Sequence, residues 1–151
     1  MTIVDFAPEH AEAFRRLNEA WITRHFTLEP HDREQLEDPQ GAVLAGGGRI
    51  FIALDEAGEA VGCVAMIAMA DGGFEVAKMT VAESQRGTGL GRALMQRCID
   101  AGRQAKAPRL YLETNSSLAP AIGLYRAMGF EDVGPQATDY ARCDVWMERK
   151  L

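Results

Sequence analysis

The first part of the chain repeats apolar residues with the period of an α-helix. These residues are spaced three to four positions apart along one predicted helix face: Phe14, Leu17, Trp21 and Ile22. The pattern predicts a helix that begins near Ala11 and is interrupted by Pro30. A short strand is predicted before it, over residues 2–6, and a second short helix after it, over residues 31–37.

The middle of the chain is built from short apolar runs separated by glycine-containing turns. Residues 49–54, 60–69 and 74–81 are rich in Ile, Val, Ala, Phe and Met, a composition that predicts β-strands. The segment Asp71-Gly72-Gly73 separates the last two runs and predicts a hairpin turn. These strands are therefore expected to lie antiparallel to one another.

The helical period returns in the second half, and strands alternate with it. A helix is predicted over residues 88–105 and another over 118–128, where Gly129 stands at the C-terminal stop position. Strands are predicted at 109–114, 130–133 and 143–147. A strand that follows a helix can pair in parallel, so the order of elements predicts an α/β fold with a mixed sheet.

Composition and charge narrow the class of protein. The chain has 151 residues, 47% hydrophobic and 25% charged, which fits a single globular domain over 1–151. Its net charge of −6 argues against nucleic acid as a partner. No apolar run is long enough to span a membrane. The N-terminal residues lack the basic region and the long apolar core of a secretory signal. Three separated cysteines, Cys63, Cys98 and Cys143, suggest neither a disulfide framework nor a metal site. We therefore expect a cytoplasmic protein.

A glycine-rich turn carries the first chemical signal. The run Arg86-Gly87-Thr88-Gly89-Leu90-Gly91 lies between a predicted strand and a predicted helix. Glycine lets the backbone approach a ligand closely, and a helix N-terminus attracts anions, so the turn is suited to a pyrophosphate. It matches neither G-x-G-x-x-G nor the P-loop pattern. A plain strand–helix connection is the alternative interpretation.

Two motifs resemble a known family when they are taken together. Residues 85–91, QRGTGLG, look like the R/Q-x-x-G-x-G/A loop that binds the pyrophosphate of acyl-CoA in the GNAT N-acetyltransferase superfamily. Residues 124–130, LYRAMGF, are similar to the L-Y-x-x-x-G-F helix end of the same superfamily. The resemblance implies a GNAT fold, with a mixed six- to seven-stranded sheet, about four flanking helices and a splay between strands 4 and 5.

The resemblance also implies a donor and the residues that hold it. Acetyl-CoA would be the acyl donor, with its pantetheine arm along the fourth strand and its pyrophosphate on the glycine-rich turn. The matching positions are Met79, Thr80, Val81, Arg86, Gly87, Thr88, Gly89, Leu90, Gly91 and Arg92. The family's usual Asn position holds Leu118 here. Asn115 is then the candidate for the pantetheine contact, or alternatively a cap of the next helix.

Three residues are the catalytic candidates by the same resemblance. Tyr125 matches the tyrosine that protonates the departing thiolate, after direct attack of the amine on the thioester. Glu75 and Glu113 match two alternative positions of the general base in the family, where the base acts directly or through a water and some members use no side-chain base at all. Each has a plainer interpretation, Glu75 as a solvated carboxylate beside a turn and Glu113 as a strand-end group bonded to a helix N-terminus.

The sequence does not identify the acceptor, which is expected to be a small-molecule or peptide amine. It also leaves open whether the protein forms a homodimer. Specificity in this fold is expected from two groups of residues: Trp21, Arg24, His25, Phe26 and His31, then Asp139, Tyr140, Arg142, Asp144 and Trp146. Arg142 could pair a substrate carboxylate. Two competing hypotheses are a non-catalytic acyl-CoA-binding or sensing module on the same fold, and a nucleotide-binding protein.

Overall fold

A seven-stranded mixed sheet forms the centre of the protein in a computed structural model that describes all 151 residues. The strand order is β1-β2-β3-β4-β5-β7-β6. The strands are β1 (Thr2–Asp5), β2 (Arg49–Leu54), β3 (Ala60–Ala68), β4 (Phe74–Val81), β5 (Arg109–Thr114), β6 (Glu131–Asp132) and β7 (Val145–Lys150). All neighbours are antiparallel except β4 and β5, which are parallel.

Four helices cover the two faces of this sheet. They are α1 (Ala11–His25), α2 (Pro30–Glu37), α3 (Leu90–Gln104) and α4 (Ala119–Ala127). One apolar core contains Ile50 and Ile52 with residues of α1 and α2, and the other contains Phe51 and Ala53 with residues of α3. This alternation along β2 is the strand period of two, so each face of the sheet has its own helical layer. None of the helices combines the length and apolar character needed to cross a membrane.

The sheet opens between its two parallel strands. Pairing of β4 with β5 is confined to Phe74 with Leu110 and Glu75 with Tyr111. Beyond Glu75 the two strands separate, which leaves the remaining edge of β4 without a strand partner on that side. The predicted splay between strands 4 and 5 is confirmed, and it creates a cleft that reaches both helical layers.

A bulge bends β4 within this opening. The register of β3 against β4 shifts between Cys63 and Ala65, and on β4 the shift falls across Lys78 and Met79. Lys78 has a φ of 54°, in the left-handed region that a residue with a side chain rarely adopts. A bulge adds an unpaired residue and re-aims its side chain. The side chain of Lys78 is thereby directed toward α2.

The predicted elements are present, with small differences at their ends. The last strand lies at Val145–Lys150, later than the predicted 143–147, because Asp144 is held by the turn before α4. The strand predicted at 130–133 shrinks to Glu131–Asp132. One turn of π-helix at Gln40–Leu44 was not predicted, since a single turn leaves no periodic pattern.

Candidate active site

The opening between β4 and β5 is a cleft of about 360 Å³. Its lining comes from β4, β5, α1, α4 and the β6–β7 loop, and 14 of its 24 lining residues are hydrophobic. Mostly apolar walls with a few polar groups are typical of ligand sites, and this volume suits a small ligand. Glu75, Glu113, Tyr125 and the residues Met79–Val81 all line this one cleft.

The glycine-rich turn lies where the open edge of β4 ends. Gly87 and Gly89 have φ values of 77° and 84°, so the turn needs residues without a Cβ at both positions. Gly89 caps α3 and no side chain bonds the N–H groups of its first turn. Arg86 and Arg92 are exposed beside it and form no ion pair. The donors and charges needed for an anion are thus free at this helix N-terminus.

The open edge of β4 leads from this turn into the cleft. Thr80 and Val81 still pair with β3 on one side, but β5 has moved away on the other. A chain with amide groups, such as a pantetheine arm, can bond an unpaired strand edge as another strand would. The residues present therefore fit the donor predicted from the sequence, and its contact with Met79, Thr80 and Val81 stays a prediction.

Tyr125 faces the cleft from α4, on the same side of the sheet as α3. Its ring lies 6.1 Å from that of Phe130, centroid to centroid, and it packs against the core shared with α3. Burial alone raises the pKa of Tyr125 to about 12, and no hydrogen bond contributes to this shift. The hydroxyl therefore keeps its proton at neutral pH and is free to donate it to a ligand.

Glu113 is held in place by two hydroxyl groups. Its Oε2 accepts a hydrogen bond from Tyr111 at 2.8 Å, and its Oε1 accepts one from Thr138 at 2.7 Å. The Tyr111 pKa is raised, first by burial and then by this bond. Both carboxylate oxygens of Glu113 thus have protein partners, so the predicted contact with a helix N-terminus is absent.

Glu75 lies across the cleft from Glu113 and has no such partners. Burial, followed by repulsion from Glu113, raises the pKa of Glu75 to about 7 against an opposing attraction from Lys78, and no hydrogen bond contributes. Glu75 is half-buried and lines the cleft, and its assignment as the base stays a prediction. A carboxyl group with a pKa near the working pH and free oxygens has the properties of a general base.

A buried charged cluster, which the sequence analysis did not identify, supports the cleft from the α2 side. Lys78 Nζ donates to Asp32 Oδ1 at 2.8 Å and to the Tyr140 hydroxyl at 2.8 Å. Arg142 donates to both oxygens of Asp32, each at 2.7 Å, and to Glu29 at 3.3 Å. The one available signal was Lys78 itself, a charged residue within the apolar run FEVAKMTV.

Asn115 lines the cleft, but its amide is occupied within the protein. The amide nitrogen donates to the carbonyl of Arg142 at 2.7 Å, and the amide oxygen accepts from the N–H of Ser117 at 2.8 Å. These bonds join the β6–β7 loop to the turn before α4. A role of Asn115 in holding the donor stays a prediction.

The predicted specificity residues divide into two groups. Trp21, Phe26, Tyr140 and Arg142 line the cleft. Arg24 instead pairs with Glu83 on the surface, Asp144 binds Ser116, and Trp146 lines a separate groove. The ring of His25 lies 5.1 Å from that of Trp21 and that of His31 lies 5.2 Å from that of Tyr140, centroid to centroid. His25 is exposed, and neither histidine lines the cleft.

The same architecture occurs in solved acetyltransferase structures. A GNAT-family acetyltransferase from Staphylococcus aureus Mu50 superposes with a TM-score of 0.91 at 18% identity, over 99% of this chain and 98% of that one. An acetyltransferase from Streptococcus agalactiae 2603 superposes with a TM-score of 0.85 at 21% identity, over 99% and 98% of the two chains. At these identities the likeness shows the fold, which is that of the GNAT acetyltransferases.

Sequence comparison assigns the chain to this family. The model of the Acetyltransferase (GNAT) family matches residues 10–130, and the chain belongs to that family. An IAA acetyltransferase of Azospirillum brasilense is 38% identical over 72% of this chain and 70% of its own length. A streptothricin acetyltransferase of Streptomyces lavendulae is 36% identical over 61% of this chain and 49% of its own length. The chain thus spans about half to seven-tenths of these two relatives.

Proposed function

We propose that this protein is an acetyl-CoA-dependent N-acetyltransferase that acts on a primary amine in a ternary complex. The observation that carries the proposal is that one cleft joins a free anion-binding turn, an unbonded tyrosine hydroxyl and an unbonded carboxylate. Acetyl-CoA, when bound, would supply the acetyl group as a thioester. The family membership supports the reaction type.

The donor side of the cleft is formed by groups that can bind and orient. Arg86, Arg92 and the uncapped N–H groups of α3 would hold the pyrophosphate, and the glycines at 87, 89 and 91 would let it approach the backbone. The edge of β4 at 79–81 would align the pantetheine arm. Tyr125, which is protonated at neutral pH and has no hydrogen-bond partner within the protein, would donate a hydrogen bond toward the departing sulfur.

The acceptor side is formed by the α1–α2 layer and the β6–β7 loop. Glu75 is the preferred base of the two candidates, because its oxygens are free and its pKa is raised to about 7. Glu113 is committed to Tyr111 and Thr138. The role of Glu113 is then to hold those hydroxyls and, by its charge, to help raise the pKa of Glu75.

The competing hypothesis of an acyl-CoA sensor is disfavoured by the same two groups. A sensor needs the anion-binding turn and the β4 edge, but it does not need a carboxylate kept unbonded in an apolar cleft. Burying such a group without a partner costs free energy, so its presence favours a chemical role. A nucleotide-binding protein would use the turn but has no use for Glu75 or Tyr125.

The proposal is tested by following free thiol during incubation with acetyl-CoA and a panel of primary amines of varied charge. We expect thiol release that depends on the amine, and stabilisation against heat by acetyl-CoA but not by ATP or NAD. Stabilisation by acetyl-CoA with no release across the panel would support the sensor. Stabilisation by ATP or NAD alone would support the nucleotide-binding alternative.

A further inference from the structure

The charged side chains that line the cleft differ in how far partners within the protein neutralise them. Its lining contains two basic residues, Lys78 and Arg142, and two acidic ones, Glu75 and Glu113. An acceptor that carries its own charge must meet one of these four groups. The question that decides which acceptors fit is therefore which of the four charges are free.

Both basic groups are already neutralised from behind the cleft wall. Lys78 and Arg142 share the carboxylate of Asp32, whose side chain is 0% exposed, and Arg142 also reaches Glu29. Two positive charges thus face two negative ones, and Asp32 has all its acceptor positions filled, since Glu29 N–H also donates to it at 2.9 Å. The expectation that Arg142 pairs a substrate carboxylate therefore does not fit its contacts.

The acidic groups are not neutralised in the same way. Glu113 receives two hydroxyl hydrogen bonds, which leave its charge in place, and Glu75 receives none. Lys78 attracts Glu75, but its ammonium group is bonded to Asp32 and not to Glu75. With the Lys78–Arg142–Asp32–Glu29 cluster balanced, the uncompensated charge of the cleft is negative. A carboxylate that enters would meet like charge and no free cation, whereas an ammonium group would be attracted.

We propose that the acceptor is a primary amine with no carboxylate beside its amino group, carried on a small apolar body. This inference rests on the proposed function and names the substrate class of the same site. The apolar body is indicated by the walls around the charged groups, which include Trp21, Ile22 and Phe26 from α1 and the turn after it. The rings of Trp21 and Phe26 lie 6.2 Å apart and form one aromatic surface.

The test uses matched triplets that differ only at the carboxylate. One triplet is phenylalanine, phenylalaninamide and 2-phenylethylamine, and a second is tryptophan, tryptophanamide and tryptamine. Thiol release is measured for each and divided by the fraction of neutral amine. We expect the simple amine and the amide to have a kcat/KM at least about tenfold above that of the acid.

The amide separates charge from size, because it has nearly the volume of the acid. An acid that reacts as well as the amine overturns the inference. An amide as poor as the acid also overturns it, since size and not charge would then explain the discrimination.

A variant of the cluster gives a second measurement. Glu29→Gln removes one negative charge beside Arg142 and keeps an oxygen for the N–H of Ala141, which Glu29 now binds at 2.8 Å. We expect the acid-to-amide ratio of kcat/KM to rise about threefold or more. Glu37→Gln removes the same charge from the exposed surface of α2 and serves as the control. An equal ratio in the two variants contradicts the charge argument.

A binding measurement tests this inference independently of whether the protein is an active acetyltransferase. The affinity of each triplet member is measured by calorimetry with CoA present, where no acetyl transfer occurs. If no amine releases thiol, the proposed function fails, but weaker binding of the acid than of the amide still supports the inference. Equal binding of acid and amide overturns it whether or not the enzyme is active.

Discussion

The ammonium group of Lys78 lies 2.8 Å from the carboxylate of Asp32, and the two side chains are only 4% and 0% exposed. The pair joins the bulge of β4 to the first turn of α2. Arg142 joins the same carboxylate from the β6–β7 loop. One buried carboxylate thus holds together three segments that form the acceptor side of the cleft.

Removing the charge of Asp32 should therefore destabilise the protein strongly. Asp32→Asn would leave Lys78 and Arg142 buried with a neutral partner, and breaking a buried ion pair from one side costs about 3–5 kcal/mol. Urea unfolding measures this change in the free energy of unfolding. Asp139→Asn is the control, because that carboxylate is 74% exposed and contacts only His31, at 3.7 Å. Equal midpoints for the two variants would show that the cluster contributes little.

The two cleft carboxylates should differ in their effect on activity. Glu75→Gln should lower kcat/KM by about 10²–10⁴-fold, the usual contribution of a general base. Glu113→Gln keeps an oxygen for one of its two hydroxyl partners and should cost clearly less. In the wild type, kcat/KM corrected for neutral amine should rise with pH and level off above about 7, where Glu75 is deprotonated. If the pH profile of kcat/KM in Glu75→Gln kept this rise, the general base would be a group other than Glu75.

The same carboxyl group predicts a pH-dependent change in stability. The pKa of Glu75 is about 7 in the folded protein against 4.5 for an ordinary glutamate, so the folded state binds its proton more tightly. Its favourable contribution to folding is complete below pH 4.5 and is lost as the pH rises through 7. Glutamine resembles the protonated form. We therefore expect Glu75→Gln to be more stable than the wild type by about 3 kcal/mol at pH 8 and by almost nothing near pH 4.

Thermal unfolding at the two pH values measures the difference, with Glu37→Gln as the control for a lost surface charge. A stability gain that is the same at both values would have another origin. Greater stability together with lower activity is the usual sign that a group is held in its position for chemistry.

The fold could be predicted from the sequence because local patterns determine it. Each pattern is contained in one short stretch of sequence: the apolar runs of β2 and β3, and the helical spacing of α1 and α3. The glycine-rich turn marks the start of α3. The start of β7 was misplaced because it is set by the contact of Asp144 with Ser116, two residues 28 positions apart. No local pattern contains that information.

The candidate site also contains residues that the sequence could predict and residues that it could not. The turn at 86–91 and Tyr125 lie in short motifs, and both reach the cleft. The contrast between Glu75 and Glu113 could not be predicted, because it depends on hydroxyls from Tyr111 and from Thr138 on a distant loop. The Asp32 cluster was equally hidden, since an acidic residue at the start of a helix reads as an ordinary partner of the helix dipole.

The glycine-rich turn gives a backbone test. Gly89 has a φ of 84° and open space around its absent Cβ, so Gly89→Ala adds backbone strain but no collision. We expect it to destabilise the protein by about 1–2 kcal/mol and to weaken acetyl-CoA binding, because the first turn of α3 must shift. Gly123→Ala is the control in α4, where the added methyl also meets nothing within 4 Å and should stabilise the helix by about 0.5–1 kcal/mol. Calorimetry with acetyl-CoA measures the binding, and unchanged affinity in Gly89→Ala would argue against this turn as the pyrophosphate site.

Tyr125 is expected to act as a hydrogen-bond donor more than as a full acid. Its pKa is raised to about 12, whereas that of a free thiol is about 8.5. Complete transfer of its proton to a thiolate would therefore be uphill, but a hydrogen bond to the developing charge is favourable. Such a bond is worth about 1.5–3 kcal/mol, so Tyr125→Phe should lower kcat by roughly 10–100-fold.

Phenylalanine keeps the packing of the ring against Phe130, which lies 6.1 Å away, so acetyl-CoA affinity and the melting temperature should stay close to those of the wild type. Stopped-flow thiol release separates the chemical step from product release, and calorimetry gives the affinity. Loss of affinity in proportion to the loss of rate would make Tyr125 a binding residue instead. An unchanged rate of the chemical step would remove it from the mechanism, and Glu75 would then be the one side chain of the cleft whose ionisation the reaction depends on.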